Sequence, residues 1–185
     1  LVAMPFWTGS EGADVILRPT AVEQPHWGIV QWGALLWAVG AVAFLARLGR
    51  DVARLVSLVR PAAALRDRTC VEMCEAIARQ LRLERIPRLL VSSRVLVPIT
   101  WGVRHPCVLV PADVAEWSGE RMRVVLAHEL AHVARADWIV HVVAQVVCAI
   151  YWFHPLFWLA ERALGREGEQ AADDRALALG LDASC

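Results

Sequence analysis

The chain has 185 residues, 57% of them hydrophobic, and a mean hydropathy of +0.44. That apolar share exceeds the roughly 45–50% of soluble domains and excludes disorder and low-complexity architectures. Nineteen basic residues balance nineteen acidic ones, so no global charge points to a nucleic-acid partner.

The chain runs from Leu1 to Cys185 and reads as a segment of a longer protein. Its charge is unevenly placed. Residues 1–46 carry Arg18 against Glu11, Asp14 and Glu23; residues 47–104 carry twelve arginines against five acids; residues 105–185 carry six arginines against eleven acids. Five cysteines, Cys70, Cys74, Cys107, Cys148 and Cys185, contain no C-x-x-C pair. They read as buried free thiols rather than a disulfide framework.

Residues 27–46 (WGIVQWGALLWAVGAVAFLA) hold no charge, and Gln31 is the one clearly polar side chain. As a helix the run spans about 30 Å, the thickness of a bilayer core. Trp27 and Trp32 suit an interfacial belt, and Arg47, Arg50, Arg54, Arg60 and Arg66 follow. The positive-inside rule then places what comes after the span in the cytoplasm. Domain boundaries follow: 1–26 an extracytoplasmic segment, 27–46 a transmembrane helix, 47–185 a cytoplasmic, membrane-associated domain.

Thr69–Leu83 has the apolar stripe of an amphipathic helix, Val71, Cys74, Ile77, Ala78 and Leu81, with Thr69 and Glu72 at capping-box spacing. Arg88 to Pro111 reads as strands: LLVSS, VLVPITWG and PCVLVP, the last two joined as a hairpin around Gly102–His105. Pro98 cannot donate to a ladder, which puts it on an edge strand, over 94–101, or at a bulge. Such an edge accepts an extended peptide by backbone pairing.

Residues 124–134 read VVLAHELAHVA, on a helix expected from Gly119 with Ser118 as its cap. His128 and His132 stand four apart and face one way, as two imidazoles on one Zn²⁺ must. Glu129 is one step round, placed to take a proton from an attacking water and pass it to the leaving amine. All other side chains in this run are apolar, and buried polar groups among them need a partner, which a metal provides. The third ligand must come from elsewhere in the chain. Glu169-Gln-Ala-Ala-Asp173 puts two acids on one helical face, Glu169 to bind the metal and Asp173 to accept the proton of a liganding histidine's far nitrogen.

Between these motifs lies a second uncharged run, Trp138–Ala160. A single crossing would separate His132 from Glu169 by about 30 Å, whereas ligands of one zinc lie near 2 Å from it. Pro155 resolves the conflict, because the residue before a proline disfavours helix. Helices of about 24 Å (138–153) and 21 Å (155–169) then form a hairpin that leaves the site and returns to it. Residues 138–160 are expected not to cross, but to pack against the membrane helix, enter partway or lie at the interface.

With H-E-x-x-H, the later E-x-x-A-D and the intervening YWFHPLFW in view, the chain resembles the membrane-integrated zinc peptidases of the BlaR/MecR type, best from Val91 to Leu179. The resemblance implies His128, His132 and Glu169 as zinc ligands, Glu129 as catalytic base, and a structural role for Arg135 and Asp137. Family members often carry Asn where this chain has His154; His154 is expected to stabilise the oxyanion. The family fold is α+β and predominantly helical. It joins an N-terminal transmembrane helix, a small β-hairpin or sheet, and a gluzincin-like pair of zinc-binding helices. The function implied is a membrane-bound zinc endopeptidase of a sensor-transducer that cleaves itself or a transcriptional repressor. Its partners are a protein or peptide substrate, the bacterial cytoplasmic membrane and, compatibly, a second copy. One alternative is a Ste24/HtpX-like protease, which places a larger membrane hairpin between its motifs than the 36 residues here. Another is a non-catalytic signalling scaffold with a structural zinc.

Overall fold

In the computed structural model, residues 28–102 and 104–179 are described. The expectations for residues 1–26 and for Cys185 lie outside them. The elements in chain order are α1 (Ile29–Val59), β1 (Ala63–Ala64), α2 (Arg68–Gln80), β2 (Arg88–Ser92), β3 (Ile99–Trp101) and β4 (Cys107–Pro111). A 3-10 turn (Ala112–Glu116), α3 (Gly119–Arg135), α4 (Asp137–Ile150) and α5 (Pro155–Ala178) follow. The fold is predominantly helical with one small sheet, as expected.

α1 outruns its apolar stretch. It continues past Arg47 to Val59, so one helix of about 46 Å carries both the lipid-length segment and a polar extension. Among the described residues it alone is long and apolar enough to cross a bilayer, and its apolar side chains stand exposed.

The sheet has the order β1-β2-β4-β3, with β2 and β4 parallel and the other pairs antiparallel. β4 is buried throughout because both of its faces are covered. Val108 and Val110 pack with Cys74 and Ile77 of α2 and Leu126 and Leu130 of α3. Cys107 and Leu109 face Leu58 and Val59 at the end of α1. The expected strand 95–102 is shorter: pairing begins at Ile99, after Pro98, whose ring nitrogen has no proton to donate. β3 and β4 form the expected hairpin, with Gly102 at φ 93° where a Cβ would strike the His105 carbonyl. α2 is capped by Asp67, which accepts from the Cys70 N–H, rather than by the Thr69 box. An aspartate one position before the first helical residue satisfies an orphan donor of the first turn, so the helix starts ahead of Thr69.

α4 and α5 form the hairpin expected around Pro155, which takes the first position of α5. Its tip docks on α1. The Trp37 indole N–H donates to the Ile150 carbonyl at 2.9 Å, and that of Trp152 donates to the Trp37 carbonyl at 3.2 Å. Gly40 lets the Trp152 ring lie against the α1 backbone, since a Cβ there would be 2.2 Å from the ring. Phe44 packs on Trp152 and Trp158.

Candidate metal centre

Three devices aim the site. Ser118 caps α3 by accepting from the Arg121 N–H, which starts the helix carrying His128, Glu129 and His132. Ala136, at φ 56°, ends α3 in the left-handed conformation, and α4 leaves at 58°. That turn swings Asp137 back beneath His132. Finally, α5 returns antiparallel to α4 and lays Glu169 and Asp173 over the two histidines.

The ligand atoms converge. The Nε2 atoms of His128 and His132 are 3.1 Å apart, and Glu169 places carboxylate oxygens 3.6 Å from the first and 3.8 Å from the second. Each Nδ1 points the other way. That of His128 donates to Asp173 at 2.8 Å, and that of His132 donates to Asp137 at 2.8 Å, which Arg135 also holds at 3.1 Å. With both Nδ1 atoms so engaged, the two Nε2 atoms face each other beside a carboxylate, an arrangement that a shared cation satisfies. Donors about 2.0–2.2 Å from one tetrahedral ion lie about 3.3–3.5 Å apart, close to the spacings found. His128, His132 and Glu169 thus form a group able to hold a metal ion.

Glu129 points to the strand side, where the Thr100 hydroxyl donates to its carboxylate. β3 is the last strand of the sheet, so its outer edge has no strand partner among the described residues. A cavity of about 750 Å³ lies between β3, the two histidines, Glu129 and the α4–α5 hairpin. Glu169 and Asp173 remain largely exposed, so the centre also opens past α5.

His154 is not brought to the centre. It precedes α5 as its N-cap at the hairpin tip, fifteen residues and about 22 Å before Glu169, with no hydrogen-bond partner for its Nδ1. This placement gives the oxyanion role expected of it no contact with the histidine pair among the described residues. Two contacts were not legible from spacing, those of Asp137 with His132 and of Thr100 with Glu129. An acid five residues after His132 is the one trace of the former.

Residues 11–182 match the family described as BlaR1 peptidase M56. Over 139 residues the chain is 27% identical to "Regulatory protein BlaR1" of Bacillus licheniformis, covering 75% of this chain and 23% of that protein. The chain therefore spans about a quarter of that relative's length. The match encloses the H-E-x-x-H helix, the hairpin and the E-x-x-A-D helix together, and the chain belongs to the M56 peptidase family.

Proposed function

We propose that the chain is the peptidase unit of a membrane-bound zinc endopeptidase. The observation that carries this is the convergence of His128, His132 and Glu169 beside Glu129 and an open sheet edge. Two imidazoles, one carboxylate and a free position make the donor set of a catalytic zinc. A zinc ion held there supplies a Lewis acid that polarises a peptide carbonyl and lowers the pKa of water toward neutrality. Glu129 takes the proton of the attacking water and delivers it to the departing amine. Asp173 and Asp137 keep both imidazoles in the tautomer that presents Nε2 to the metal. Thr100 orients Glu129, and the β3 edge pairs with an extended substrate, which lies across the centre.

Residues 27–46 span the cytoplasmic membrane, residues 1–26 lie outside it, and residues 47–185 form the peptidase domain on the cytoplasmic side. The arginine-rich stretch after the span supports this orientation. The substrate is a protein, the chain's own polypeptide or a transcriptional repressor, consistent with a relative named as regulatory.

The test is zinc content and peptide cleavage in detergent-purified wild type, Glu129→Gln and Glu169→Ala. About one zinc per chain is expected in wild type and Glu129→Gln, with weaker retention in Glu169→Ala. Cleavage should fall at least about 10²-fold in Glu129→Gln. Undiminished turnover in that variant would sink the mechanism, and undiminished zinc affinity in Glu169→Ala would move the third ligand to another acid.

A further inference from the structure

The cavity is deeper than the metal centre requires. From Glu169 it follows α5 back past Gly168 and Gly165 to Glu161, eight residues or about 12 Å along the helix. Gly165 stands on the same helical face as both acids, and a Cβ built there would meet no atom within 4 Å. The missing side chain keeps the passage open. Val133, Trp138, Ala144 and Leu164 give it apolar walls.

Glu161 closes the far end. Its side chain is only 16% exposed, and Gln145 donates to Oε1 at 2.9 Å, with His141 Nδ1 3.7 Å from the same oxygen. The other carboxylates of the cavity are accounted for. Glu169 meets the two histidines, Thr100 donates to Glu129, and Asp137 holds His132 and Arg135. No arginine among the described residues pairs with Glu161. A Gln145–Glu161 clamp between α4 and α5 would explain a polar contact, but not the open volume leading to it.

We propose that this passage is the subsite for a substrate side chain next to the scissile bond, and that Glu161 selects lysine or arginine there. This rests on the peptidase reading above. The aliphatic stem of such a side chain packs on the apolar walls while its cationic head reaches the carboxylate.

The experiment uses the zinc-loaded, detergent-purified protein carrying Glu129→Gln, so that peptides bind without being cut. The probes are fluorescent polyalanine decapeptides in which one lysine, or one norleucine, is moved along the length. At one position lysine should bind about tenfold more tightly than norleucine. Adding Glu161→Gln, which keeps an acceptor for Gln145, should bring that ratio close to one and leave the norleucine peptide unchanged. Gly165→Met should weaken both peptides while zinc content and thermal stability hold. Equal binding of lysine and norleucine, a preference that survives Glu161→Gln, or indifference to Gly165→Met would each overturn the inference and leave the peptidase reading standing. No binding of any peptide by zinc-loaded protein would overturn both.

Discussion

Asp137 and Asp173 do the same job from opposite sides, and their surroundings differ. Asp137 is about one-fifth exposed and tied to Arg135, whereas Asp173 is about three-fifths exposed. Solvent screens the second contact more. Asp137→Asn should therefore weaken zinc binding by about 10–100-fold, and Asp173→Asn by less, read by competition with a chelator of known affinity. The reverse order would mean that Asp137 serves the α3–α4 corner alone. His128, Glu129 and His132 were legible because a helix makes their geometry local. Asp137 was hidden because its reach depends on a left-handed residue at 136, and alanine carries no signal for that conformation. A second residue-scale expectation concerns Cys74, 1% exposed, whose thiol burial pushes from 9.0 up to about 11. Below pH 9 the thiol is protonated in both folded and unfolded chains. Between about pH 9 and 11 the unfolded chain ionises first, so this residue's contribution to stability falls as pH rises. At pH 8, iodoacetamide should label half-buried Cys70 in the native protein and reach Cys74 only on unfolding. Equal labelling would contradict the packing of α2.

Gly40 is where the α4–α5 hairpin meets α1. An alanine there puts its Cβ 2.2–2.7 Å from the Trp152 ring, and overpacking of this kind costs about 1–3 kcal/mol. Gly40→Ala should lower Tm, and Trp152→Ala in the same chain should recover part of the loss. Strictly additive losses would show that the two do not touch. The hairpin itself was readable from Pro155 and from the demand that His132 and Glu169 share a metal. Its docking partner was not, since the apolar faces of α1, α4 and α5 look alike in one dimension. The sheet was read as an edge hairpin, but the parallel β2–β4 pairing and the two-residue β1 escaped. Parallel register is fixed by what lies between strands rather than by any turn. Strand length was overstated on the N-terminal side because the apolar run 95–97 looks like strand until Pro98 is given its full weight.

At the scale of the molecule, α1 and the hairpin give one orientation for all of the proposed chemistry. Residues 47–60, in the polar extension of α1, and residues 165–168, near the metal centre on α5, should lie on one side of the membrane. In a cysteine-free background, Arg54→Cys and Arg166→Cys should react with an impermeant maleimide only in inverted vesicles. Labelling from opposite sides would separate Glu169 from the histidines and dissolve the centre. The ligand set is also split in time. His128 and His132 precede the hairpin tip and Glu169 comes after it, with 36 residues between His132 and Glu169, so a ribosome completes the tip at Pro155 before it adds Glu169. A nascent chain at that stage holds Glu129 and both imidazoles but lacks Glu169. On the proposed reading the centre can close only after α5 has been made and has folded back, so a chain ending before Glu169 should neither retain zinc nor cleave.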